Sequence, residues 1–178
     1  MKKFFTMGMS ALVLVSLTGC ELFDKVDDVT FEATLPLEFV INEQMVSQDP
    51  VAYSDVETLD ATDDPDVAKY KDKIREIKLN GISYSIDNFA APGAVSFTNG
   101  SIKIASGKTL VTASGIAMEN TTDTELTGIN QEGFDAFSSD VLGDKTVAVN
   151  FDGTFSQTPV AFTLTAYFHV TITADALK

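Results

Sequence analysis

From Phe31 onward, apolar and polar residues alternate with period two. Phe31, Ala33, Leu35, Leu37, Phe39 and Ile41 share one parity, while Glu32, Thr34, Pro36, Glu38 and Asn42 fall on the other. Six apolar positions in register predict a half-buried strand. Pro36 has no N–H to give to a ladder, which places this strand at a sheet edge or a bulge. The same period returns near the C-terminus, first through Val147, Val149, Phe151, Gly153 and Phe155. It then runs through Val160, Phe162, Leu164, Ala166, Phe168, Val170 and Ile172, with Ala161, Thr163, Thr165, Tyr167, His169, Thr171 and Thr173 opposite. The second run predicts a strand of roughly 14 residues, long against a usual 5–6. Joined through Gln157-Thr158-Pro159, the two runs are expected to pair as an antiparallel hairpin, wet on one face and packed on the other.

Between these ends the pattern is less regular. Residues 42–63 are polar, with Pro50 and scattered acids, and read as a long connection. Asp64-Pro65-Asp66-Val67 is a helix start: an N-cap aspartate, proline at the first helical position, then an acid at the positive end of the dipole. Val67, Tyr70, Ile74 and Ile77 continue it at helical spacing for about ten residues, with Lys69, Lys71, Lys73 and Arg75 on a solvated face. At Asn80-Gly81 and Asn99-Gly100 the phase of the apolar residues shifts, as either a two-residue hairpin or a bulge requires. The first reads better as a bulge, because a hairpin there leaves little room after the helix, and the second reads better as a hairpin. Residues 108–118 carry a further strand, Thr121 to Glu125 a polar turn, and residues 130–141 a second helix with Phe134, Phe137 and Val141 on one face and Gly143 as its stop. Together these elements predict an all-β, mainly antiparallel fold, a β-sandwich or open barrel of about 7–8 strands with two short helices.

The first twenty residues follow a different rule. Lys2 and Lys3 precede an apolar run from Phe4 to Leu17, too short to span a bilayer as a helix, and Leu17-Thr18-Gly19-Cys20 follows. The last four residues resemble the lipobox of bacterial lipoproteins: leucine, two small residues, then the cysteine that is lipidated. The resemblance implies a diacylglyceryl thioether on Cys20 and cleavage before it. Residues 1–19 are then a lipoprotein signal peptide, residues 20–29 an acidic tether, and residues 30–178 a single β-sandwich-like domain. It also implies an address: a bacterial cell envelope, lipid-anchored, at the outer membrane. Cys20 is the one cysteine of the chain, so no intramolecular disulfide can form.

Charge narrows the partners. With 26 acidic and 12 basic residues the chain carries a formal −14. Nucleic-acid binding rests on cations meeting phosphates, so no nucleic-acid partner is expected. Candidate chemistry is sparse. The single histidine, His169, sits among threonines on the wet face of the last strand, and as a general base it needs a partner held beside it. No Gly-x-Ser-x-Gly elbow is present. Asp60, Asp63 and Asp66 are the weak metal candidates, in an acidic run that lacks the glycine and terminal glutamate of a calcium loop. No cofactor is expected, and the chain reads as a non-enzyme.

The expected role is therefore a membrane-anchored envelope lipoprotein whose non-catalytic sandwich binds a protein or glycan partner or serves a structural role. The alternative is a carrier holding an apolar ligand inside a curved sheet, suggested by Phe151, Phe155, Phe162 and Phe168 on the inward parity. An enzyme acting on an envelope or extracellular polymer is the weaker third reading.

Overall fold

A computed structural model describes residues 28–175; the expected signal segment, Cys20 and most of the expected tether lie outside them. Nine strands occur among the described residues: β1 (Asp28–Ser47), β2 (Val51–Asp60), β3 (Ile74–Ala90), β4 (Ser96–Ile104), β5 (Thr109–Ala113), β6 (Ile116–Ala117), β7 (Thr121–Glu125), β8 (Thr146–Phe155) and β9 (Thr158–Asp175). Two α-helices accompany them, α1 (Pro65–Tyr70) and α2 (Gln131–Asp144), with a 3-10 turn at Ala61–Asp63 before α1. One sheet has the order β1-β9-β3-β7, the other β2-β8-β4-β5 with β6 added to β4, and all the pairings are antiparallel. The fold is an all-β sandwich, with its core between the two sheets.

The first sheet is long. Asp28 pairs with Asp175, and the register runs unbroken to Glu43 opposite Val160. At about 3.3 Å per residue, β1 spans roughly 60 Å. The end at Asp28 and Asp175 is called here the near end, and the end at Ser47 and Thr158 the far end. The alternation predicted for β1 holds: Ala33, Leu35, Leu37, Phe39 and Ile41 are buried, and Pro36 lies on an edge strand where its missing N–H costs no ladder bond. β1 starts at Asp28, so the last two residues of the expected tether already belong to the sheet.

Several expectations are corrected. Residues 42–63 are not a connection: β1 continues to Ser47, and β2 pairs along its whole length with β8, from Val51 opposite Phe155 to Asp60 opposite Thr146. β2 is an edge strand that turns Asp55 and Glu57 toward the parity of Tyr53 and Leu59, and those acids hid its alternation. The helix after Asp64 is six residues rather than ten, and Ile74 and Ile77 begin β3. Thr121 to Glu125 is a short strand on the edge of the first sheet, not a turn. α2 passes through Gly143 and is closed by Lys145 in the left-handed conformation (φ 62°).

The two Asn-Gly sites share one solution. Asn80 is a bulge within β3, as expected, between Leu79 opposite Val170 and Gly81 opposite His169. Asn99-Gly100 is also a bulge, within β4, rather than the expected hairpin. Asn99 takes a positive φ of 53°, and a Cβ on Gly100 would stand 3.0 Å from the Phe97 ring. The hairpin lies further on, through Gly107 between β4 and β5, where φ is 84°.

The largest correction concerns β8 and β9. They are not a hairpin: β8 lies in the middle of one sheet and β9 in the middle of the other, and Ser156-Gln157 carries the chain across. Both strands turn their apolar parity toward the same interior, so Phe155 meets Phe162 edge-on at 5.9 Å across the sandwich. Phe97 from β4 enters the slot above Gly153, stacked on Phe151 at 5.0 Å and tilted against Phe155 at 4.9 Å. A Cβ at Gly153 would lie 2.0 Å from that ring. Toward the near end, α2 closes the interior. Gly133 lets it approach the β5 backbone so closely that a Cβ would sit 1.9 Å from the Thr109 carbonyl, and Phe137 stacks on Phe168 at 5.1 Å.

Candidate functional site

The acidic run is built as a helix entry. Asp60 accepts from the Thr62 amide and hydroxyl, at 2.8 and 2.6 Å, and these bonds hold its carboxyl below the ordinary value. Asp64 caps α1 by accepting from the Asp66 and Val67 amides. Both carboxylates are committed to orphan donors of helical turns. Asp60, Asp63 and Asp66 are not brought together as ligands; among the described residues no group of three or more His, Cys, Asp or Glu side chains could hold a metal ion.

His169 has the partners that sequence alone could not supply. On the outer face of the first sheet its Nε2 lies 2.9 Å from Ser83 Oγ, and its Nδ1 3.3 Å from Thr34 Oγ1. Ser83 donates its hydroxyl hydrogen to Asp123 Oδ1 at 2.6 Å, and the Asp123 amide donates to Ser85 Oγ at 3.0 Å. With its hydroxyl hydrogen directed at Asp123, Ser83 accepts from Nε2–H, and Nδ1 is left to accept from Thr34; this tautomer is assigned from the network. The order along the chain of bonds is carboxylate, serine, imidazole. In acyl-transfer triads the carboxylate orients the imidazole and the imidazole takes the serine proton. Here the serine hydroxyl points its hydrogen at the carboxylate and away from the imidazole, and Ser83 is fully buried, so its oxygen offers no approach to a substrate. What the network does is mechanical: it ties β7 to β3 and β3 through β9 to β1 with polar groups that would be costly if buried unpaired.

The interior is filled. Phe151, Phe155, Phe162 and Phe168 are all buried against other side chains. The cavity between the open flanks of the two sheets has a volume of about 40 Å³ and is lined by Tyr84, Phe97, Ile102, Met118, Leu126 and Leu164 among others. Ligand sites begin near ~300 Å³. Tyr84 borders this apolar space, and burial pushes its hydroxyl pKa up.

On the outer face of the second sheet, Asp152 accepts from Ser54 at 2.6 Å and pairs with Lys103 at 3.0 Å. At the near end, Arg75 bridges Asp28 at 3.1 Å and Asp175 at 2.8 Å, clasping the first described residue of β1 to the last of β9. Basic residues are unevenly placed. Among the described residues they fall between Lys69 and Arg75, at Lys78, and at Lys103, Lys108 and Lys145. Lys103 stands opposite Asn150, and no lysine or arginine among the described residues lies nearer the far end. Glu43, Asp49, Asp55, Asp87 and Glu119 lie in that far half.

None of the His169 network was recoverable from spacing, since its members are 86 and 135 residues apart in the chain. No family model matches the sequence, and no curated protein does. Among solved structures the chain is similar to one from Desmodium yellow mottle tymovirus, with 10% identity, coverage of 100% of this chain and 95% of that one, and a TM-score of 0.33. A likeness so remote carries no argument about activity.

Proposed function

We propose that this protein is an envelope lipoprotein, held at the outer membrane by lipid on Cys20, whose β-sandwich acts without catalysis as a binding or structural module. The observation that carries the reading is the sequence Leu17-Thr18-Gly19-Cys20 behind Lys2, Lys3 and a short apolar run. Several acyl chains on one cysteine anchor far more firmly than the marginal grip of a single myristoyl chain. The filled interior favours this module over a carrier of apolar ligands, and the buried Ser83 gives no support to hydrolysis at His169. A protein or glycan partner would then have to be met on the outer surface.

The experiment is the substitution Cys20→Ser. The variant is expected to leave the membrane fraction while its circular dichroism and unfolding midpoint stay unchanged, and the mature wild type to carry the mass of its acyl chains. A variant that still sediments with membranes in high salt would sink the anchor.

A further inference from the structure

β1 is the edge of one sheet and β2 the edge of the other, and both border the same side of the sandwich: Phe39 of β1 meets Phe151, which pairs with Asp55 of β2. We propose that the free edge of β1, from Glu38 to Asn42, takes up an extended segment of a partner protein, with alternating basic and apolar residues, as a fifth strand of the first sheet. The proposal rests on the reading of the domain as a binding module and does not require the lipid. The first argument is the direction of the backbone. The Leu126 amide donates to the Ile82 carbonyl, so Ile82 turns toward β7 and away from β9. Residues of an antiparallel ladder turn alternately to one neighbour and the other, so Phe168, opposite Ile82, bonds toward β1, where it meets Leu35. Leu37, Phe39 and Ile41 share the parity of Leu35 and bond inward. Glu38, Val40 and Asn42 therefore turn their N–H and C=O groups outward, where the first sheet has no further strand. Pro36 has the same outward parity, and its missing N–H ends the row on that side. On the other side the ladder is irregular between Glu43 and Ser47.

The second argument is what stands around that edge. Val40 is 66% exposed, and Met45 and Val46, in the irregular segment just beyond, are 73% and 75% exposed. They offer apolar contacts to the side chains that an added strand turns to the outer face. Its other side chains come down beside β2, where Asp55 and Glu57 occupy the inward parity. There are four acids on β1 and three on β2, and neither strand has a lysine or arginine. Tyr53 registers this field: burial first, then Asp55 by charge and hydrogen bond, then Glu43 and Glu57 push its hydroxyl pKa up. That hydroxyl donates to Asp55 at 3.2 Å. A second copy of the chain would set carboxylates against carboxylates along this edge, and inward-pointing charges are a known guard against such self-pairing. A strand with lysine or arginine on its inward parity meets the same acids with complementary charge, which selects this class of partner over the chain itself.

The test uses the full protein in vesicles of neutral phosphatidylcholine, with a fluorescent peptide of alternating lysine and valine as the probe. Anisotropy reads binding, and amide hydrogen exchange of the protein reads its place. The Glu38, Val40 and Asn42 amides should exchange several-fold more slowly when the peptide is bound, and a peptide of alternating glutamate and valine should not bind. Two changes remove backbone pairing and keep the charges: N-methylation of the peptide's valines, and Val40→Pro in the protein, whose lost N–H makes no bond to β9. Each should weaken binding about tenfold or more. The unfolding midpoint checks that Val40→Pro is folded, and if it is not, the N-methylated peptide decides. Binding indifferent to these backbone changes, or slowed exchange confined to other strands, overturns the edge pairing. If the peptide does not bind while an envelope extract yields a partner retained by both wild type and Val40→Pro, the edge alone falls. If neither peptide nor extract leaves anything bound, the edge and the binding-module reading fall together.

Discussion

The two sheets face one core but hold it in different ways. The first sheet relies on length: β1, β9 and β3 have 20, 18 and 17 residues, and their inner faces are mostly Leu, Ile and Val. The second has strands of ten residues or fewer and compensates with rings, Phe97 lying over Gly153 between Phe151 and Phe155, with Tyr53 beside them. A long ladder spreads its stabilisation over many modest contacts. A ring set into a slot concentrates it, because close-packed interiors respond to single-group changes in volume.

Three measurements break or sharpen that contrast. Phe97→Ala should cost about 3–5 kcal/mol in denaturant unfolding, since it empties a fully enclosed slot. Leu37→Ala on the edge strand β1 should cost less, about 2 kcal/mol, at the bottom of the range for such truncations. Equal costs would remove the distinction between the sheets. Gly153→Ala should cost about 1–3 kcal/mol by overpacking against Phe97. Adding Phe97→Leu should recover part of that loss, and a double-mutant cycle with no coupling would show that the slot does not exist in solution.

The smallest effect is electrostatic. Burial works to raise the Asp152 carboxyl, but the Ser54 hydroxyl and the Lys103 ammonium outweigh it and hold the group below its ordinary value. A lowered pKa stabilises the fold above the unfolded value and loses that contribution as pH falls through the folded one. Stability should therefore decline below about pH 4, and Asp152→Asn should flatten part of that acid limb while slightly lowering stability at neutral pH. An unchanged acid slope in the variant would mean that the pair on the second sheet contributes nothing.

What was legible in the sequence follows the same division. β9 could be read because it lies mid-sheet with one face wholly in the core, so every second residue had to be apolar. β2 and β7 could not: Asp55 and Glu57 interrupt the inward parity of β2, and β7, Thr121–Glu125, has no apolar residue. The Asn-Gly sites announced a change of phase without saying which of two geometries produced it. Asn99-Gly100 became a bulge because the Phe97 ring needed the space that a glycine leaves. The β8–β9 link was misread for a related reason: alternation reports which face meets the core, and two strands facing one core can belong to one sheet or to opposite ones. The polar network at His169 left no trace, since Thr34, Ser83 and Asp123 reach it from three other strands.

The unbroken register of β1 against β9 has a mechanical consequence. Force entering through the tether at Asp28 and resisted at the far end would pull β1 lengthwise along β9, so that sixteen residue pairs bear the load together. Force applied between Asp28 and Asp175, which sit side by side, would open the same ladder one pair at a time. The domain is thus a stiff strut for loads running along β1 from Asp28 to the far end and a zipper for loads between Asp28 and Asp175.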